Sequence, residues 1–113
     1  ALAVCIGNVH GKYRGEPKLD FDRLEAIRDI VDVPLVLHGT SGLPDWMLTR
    51  CIELGVCKFN VNTEVRRAYV DAMKRTLNED ASIDLLDMME HSVTLMKDVV
   101  AEKLSFFGSS GRV

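Results

Sequence analysis

Leu35-Val36-Leu37-His38-Gly39-Thr40-Ser41-Gly42 sets three continuous apolar residues directly ahead of a histidine and a glycine-rich loop. A short apolar run without polar alternation is the mark of a strand covered on both faces of a parallel sheet. The same wording occurs once before it. Leu2 to Ile6 is apolar and runs into Gly7-Asn8-Val9-His10-Gly11. A third strand, Val56 to Val61 with Cys57 and Phe59, runs instead into polar Asn60, Asn62 and Thr63. Helical patterns lie between. Asp20 is a suitable N-cap for a helix with Phe21, Leu24, Ile27, Ile30 and Val31 on its inner face. Pro34 breaks that helix, and Pro44 suits the first turn of the next, whose apolar positions are Trp46, Met47, Cys51, Ile52 and Leu54. Gly55 is its expected stop. Asn62 or Thr63 can cap a third helix over roughly 64 to 77, and Ser82 opens a long amphipathic stretch reaching Phe107. The closing Gly108 to Val113 reads as a flexible tail. Strand, helix, strand, helix, strand, helix, helix implies an α/β fold with parallel strands and crossover helices.

Composition narrows the function classes. Across 113 residues, 47% are hydrophobic and 27% charged, an ordinary globular balance. Fourteen basic against seventeen acidic residues leave a formal charge of -3, which argues against nucleic acid as a partner. No apolar run approaches the roughly 20 residues of a membrane span. The opening Ala-Leu-Ala-Val-Cys-Ile has no charged region ahead of it. It reads as a strand entered partway through a longer protein and not as a signal peptide. Cys5, Cys51 and Cys57 are an odd set in apolar surroundings. They read as small buried hydrophobes in a reducing, cytoplasmic compartment.

Parallel α/β sheets collect function at the carboxyl ends of their strands. His10 and His38 both follow apolar strands and both precede a glycine. Equivalent placement on successive strands lets the two imidazoles share a metal. Backbone N–H groups of Gly39-Thr40-Ser41-Gly42 ahead of a helix can cradle a phosphate, with the Ser41 hydroxyl adding a donor. Asn62 and Thr63 can act in the same way at the next helix. Asn60, at the end of the third strand, needs a hydrogen-bond partner, either a ligand or a neighbouring strand. His91 and the basic residues Lys58, Arg66 and Arg67 read as surface.

Taken in order, Gly7-Asn8-Val9-His10-Gly11, Leu35 to Gly42, Lys58-Phe59-Asn60-Val61-Asn62-Thr63-Glu64 and Phe107-Gly108-Ser109-Ser110-Gly111 resemble the C-terminal part of class II, zinc-dependent ketose-bisphosphate aldolases. The resemblance covers nearly the whole chain. It implies that residues 1–113 form about the last three βα units and the terminal helix of a TIM (β/α)8 barrel. It implies reversible cleavage of a ketose (bis)phosphate to dihydroxyacetone phosphate and an aldehyde. His10 and His38 would be two of three Zn2+ ligands. Gly11, Gly39, Thr40 and Ser41 would bind the dihydroxyacetone-phosphate part, with Asn60, Val61, Asn62 and Thr63 completing the pocket. Some members also bind a monovalent cation through glycine carbonyls. The third ligand and the proton-donating aspartate belong to a motif expected upstream, and a homo-oligomer is expected of the full-length protein. Two features depart from the pattern. Thr40 replaces a glycine, and Asp84 to Met89 contains no Arg for a distal phosphate. A non-catalytic phospholigand-binding or oligomerisation module is the alternative.

Overall fold

The computed structural model describes residues 1–11 and 13–112. Among the described residues seven elements follow one another: β1 (Leu2–Val4), α1 (Phe21–Ile30), β2 (Leu35–Leu37), α2 (Asp45–Glu53), β3 (Val56–Phe59), α3 (Thr63–Glu79) and α4 (Leu85–Phe106). The three strands form one parallel sheet in the order β1-β2-β3. This is the α/β alternation read from the sequence, with every strand pair parallel. The chain divides into two units, residues 1–61 and 62–113.

In the first unit β2 is central and all three of its residues are buried. Leu37, Ile6, Leu24, Leu48 and Cys51 are fully enclosed around it. β1 and β2 pair Leu2 with Leu35 and Val4 with Leu37. β2 and β3 pair Leu35 with Val56, then Val36 with Lys58, so Cys57 is an extra residue in β3. Such an insertion is a β-bulge. The Asp20 carboxylate accepts the Arg23 N–H at 2.9 Å and caps α1 as its residue type dictates. The inner face of α1 is narrower than the periodicity suggests. Leu24 is buried, but Ile30, in the last turn, is 81% exposed. Trp46 and Ile52 on α2 are also exposed, whereas Met47, Leu48 and Cys51 are buried.

Cys51 is the only one of the three thiols that meets the expectation of burial. Cys5 and Cys57 are exposed. Cys57 is the bulge residue of β3, left out of the pairing with β2.

In the second unit α3 and α4 form an antiparallel pair. Lys103, near the end of α4, bonds Glu64, in the first turn of α3, at 2.8 Å. Ala72 and Thr76 on α3 and Met88 and Ser92 on α4 are buried. Asp84 is the N-cap of α4, accepting the Leu86 N–H at 2.8 Å, so the helix begins later than Ser82. Leu85, Leu86, Met89, Val93, Val100 and Leu104 on the same helix are exposed. The end of the chain is more ordered than its composition implied. Gly108 adopts φ +68, and the Ser109 N–H returns to the Leu104 carbonyl at 2.8 Å while Gly108 N–H bonds Ser105 at 3.0 Å. That pair of bonds is a Schellman cap, and it requires the left-handed conformation glycine tolerates. Val113 lies outside the described residues.

Candidate active site at the strand ends

His38 follows β2 directly, and His10 comes from the loop after β1. Their ring centroids are 5.4 Å apart with planes at 65°. His10 is exposed and His38 half-buried. The two loops can approach because Gly39 has no side chain. A Cβ there would stand 2.4 Å from the Val9 carbonyl oxygen, and φ is +64.

Asn60 stands beside His38. Its N–H bonds the Leu37 carbonyl at 3.1 Å, extending the β2–β3 ladder one residue past the strand. Its side-chain amide nitrogen lies 2.7 Å from Nε2 and 3.2 Å from Nδ1 of His38. The Lys58 ammonium donates to Oδ1 of the same amide. That contact turns the amide NH2 toward the imidazole. A ring nitrogen that accepts this bond spends its lone pair on the amide, and a metal on that nitrogen would take the place of the amide hydrogen. Lys58 is exposed, in line with a surface position, and also bonds into this cluster. The available signal was its spacing: residues two apart on a strand share a face.

Thr40 is 3% exposed, and its hydroxyl reaches the Asn60 carbonyl at 3.5 Å. Its own carbonyl accepts the Leu43 N–H at 3.2 Å, closing the turn into α2. Ser41 is half-buried in that turn, and Gly11 lies in the first loop with φ +88. Val61 ends the first unit, while Asn62 and Thr63 begin the second. Asn62 is the N-cap of α3, but its side chain makes no capping bond. His91 is exposed, as read, yet its Nδ1 is 2.9 Å from the buried Thr76 hydroxyl and ties α4 to α3.

Asn8 and Tyr13 were not singled out in the sequence. The Asn8 amide accepts the Ile6 N–H at 2.9 Å and donates to the His38 carbonyl at 3.1 Å. The Tyr13 hydroxyl accepts the Val9 N–H at 3.1 Å and donates to the Gly39 carbonyl at 2.9 Å. No periodicity marks such bridges, because they depend on how two loops fold together.

The donor set can be tested against a metal. Two imidazoles on one tetrahedral ion, with bonds of about 2 Å, carry centroids about 5 Å apart. The observed 5.4 Å fits that spacing. Among the described residues no group of three or more His, Cys, Asp or Glu is placed to hold a metal, so the fit concerns two positions of a shell.

Parallel strands that deliver two adjacent imidazoles and a glycine-rich turn to one end of the sheet define a strand-end site of the α/β barrel class. The family model for fructose-bisphosphate aldolase class-II matches residues 1–112, and the chain belongs to that family. It is similar to the YdjI aldolase from Escherichia coli K12, at 36% identity and TM-score 0.81 over 97% of this chain and 39% of that one. A candidate fructose-1,6-biphosphate aldolase from Coccidioides immitis is 32% identical, with TM-score 0.82 over 97% of this chain and 38% of that one. The fructose-bisphosphate aldolase of Campylobacter jejuni shares the fold at TM-score 0.79 and 17% identity, over 95% of this chain and 39% of that one. The chain thus spans about 39% of the length of these relatives.

Proposed function

We propose that this chain supplies part of the metal and phosphate site of a class II aldolase. The reaction is reversible aldol cleavage of a ketose (bis)phosphate to dihydroxyacetone phosphate and an aldehyde, in carbohydrate metabolism. The observation that carries this reading is the 5.4 Å convergence of the His10 and His38 rings, with an amide held against the second. His10 and His38 would hold Zn2+, which when bound supplies Lewis-acid polarisation of a ketone oxygen. Asn60, oriented by Lys58, stands against His38 and would give up its hydrogen bond to a metal bound at the same ring nitrogen.

The turn from Gly39 to Gly42 binds the phosphate of the substrate. Because the Thr40 hydroxyl faces the Asn60 carbonyl, its contact falls to the main chain. Ser41 offers its hydroxyl, Gly11 its backbone, and Asn60, Val61, Asn62 and Thr63 complete the recognition of the dihydroxyacetone-phosphate part. Holding the substrate at several points places the scissile C–C bond in a reactive geometry. A monovalent cation on glycine carbonyls, a homo-oligomeric full-length protein, a cytoplasmic location and the absence of nucleic-acid or membrane partners belong to the same reading. Within the described residues no helix is long and apolar enough to cross a membrane.

The test is metal analysis and an aldol-cleavage assay on the full-length protein. Zinc retention with zinc-dependent cleavage is expected, and His38→Ala should lose both. Wild-type metal content in His38→Ala, or cleavage that survives complete zinc removal, contradicts the assignment. Titration with dihydroxyacetone phosphate separates it from a binding module, for which ligand binds but no cleavage occurs.

A further inference from the structure

We infer that Tyr13 is a positioning residue for the two-histidine site: its single hydroxyl sets the distance between the loops that carry His10 and His38. The inference rests on the metal-site reading above and extends it to a residue outside that reading.

A tyrosine hydroxyl can donate one hydrogen bond and accept others. The Tyr13 oxygen does both, and its two partners are main-chain groups next to the two histidines. It accepts from the N–H of Val9, the residue before His10, at 3.1 Å. It donates to the carbonyl of Gly39, the residue after His38, at 2.9 Å. One oxygen atom therefore joins the two loops at the residues adjacent to both candidate ligands. The bare Gly39 brings Val9 close enough for this bridge, since a Cβ at that position would overlap the Val9 carbonyl. Asn8 adds a second tie from the first loop to the His38 carbonyl at 3.1 Å.

Tyr13 is half-buried and half-open, and its ring does not belong to the enclosed core around Leu37. Its hydroxyl touches neither imidazole. Its effect on a metal would come through ligand placement, and metal sites are sensitive to shifts of about 0.5 Å in that placement. Tyr13→Phe keeps the ring and removes both hydrogen bonds at once.

The experiment uses Co2+ as the probe on the full-length protein. Affinity is measured by chelator competition, and ligand geometry by the visible absorption of the bound ion. Tyr69→Phe serves as the control for loss of a hydroxyl elsewhere. We expect Tyr13→Phe to bind Co2+ about 10-fold more weakly, the usual scale for groups that orient ligands. We also expect an altered absorption band and a metal-free unfolding temperature equal to that of Tyr69→Phe. Faster hydrogen exchange at the Val9 amide should accompany this, with or without metal. Wild-type affinity and spectrum in Tyr13→Phe overturn the inference. So does a metal-free unfolding temperature well below that of Tyr69→Phe, which would make the role structural. His38→Ala separates the two layers. If it keeps the wild-type spectrum, the metal-site reading itself fails; if it loses the ion while Tyr13→Phe matches wild type, only the role of Tyr13 fails.

Discussion

Gly39 and Cys51 show how far a single side chain can constrain this site and its support. At Gly39 a methyl group would be strained by φ +64 and would sit 2.4 Å from the Val9 carbonyl oxygen. Gly39→Ala should cost about 2–4 kcal/mol, from left-handed strain plus overlap with backbone that cannot move aside. Chemical denaturation checks this, and a cost below about 0.5 kcal/mol would mean that the two loops are not in contact. Cys51 is fully enclosed, and burial pushes its thiol up from 9.0 to about 11. The folded state holds this proton more tightly than the unfolded state. Its stabilising share is therefore complete below pH 9.0 and lost as pH rises toward about 11. The unfolding temperature of wild type relative to Cys51→Ala should fall across that interval. Near pH 8, thiol reagents should label Cys5 and Cys57 in the folded protein and Cys51 only after unfolding, as mass spectrometry of the labelled peptides would show. The buried-thiol reading erred at two positions because apolar neighbours in sequence do not reveal which face of a strand is covered.

At the scale of elements, α1 offers a sharp contrast. Leu24 is enclosed in the core, while Ile30, on the same apolar pattern, is 81% exposed. Leu24→Ala should destabilise by about 2–5 kcal/mol, and Ile30→Ala by no more than about 0.5 kcal/mol. Equal effects in thermal unfolding would contradict the packing described here. The strand and helix order was legible in the sequence because Leu35-Val36-Leu37 has no polar alternation and because Asp20, Pro34 and Gly55 mark boundaries by their own backbone chemistry. The pairing of His10 with His38 was legible for the same reason, since both follow strands whose parallel arrangement the alternation dictates. The Lys58–Asn60–His38 chain and the Tyr13 bridge were not. The first depends on an extra residue in β3, and the second on the mutual fold of two loops; neither leaves a periodic trace. The apolar pattern of α4 was legible as well, but such a pattern states which face is greasy, not what covers it.

For the whole molecule, the division of labour between its two units matters most. Both imidazoles, the glycine-rich turn and Asn60 belong to residues 1–61, and the α3–α4 pair belongs to residues 62–113. On the proposed reading, zinc removal should lower the unfolding midpoint. Free zinc at one hundred times its dissociation constant adds about 2.7 kcal/mol to the stability of a protein that binds it only when folded. The same chelation should leave His38→Ala unchanged, and calorimetry with and without chelator provides the comparison. The skipped residue in the third strand has a last consequence. With Cys57 in step, Lys58 would stand opposite Leu37 and Phe59 opposite His38; with Cys57 passed over, that place falls to Asn60. One unit of slack thus decides whether the histidine meets an amide or an aromatic wall. Deleting Cys57 would take out the bulge and still leave Lys58, Phe59 and Asn60 opposite Val36, Leu37 and His38, whereas drawing Cys57 into step would bring Phe59 to the histidine.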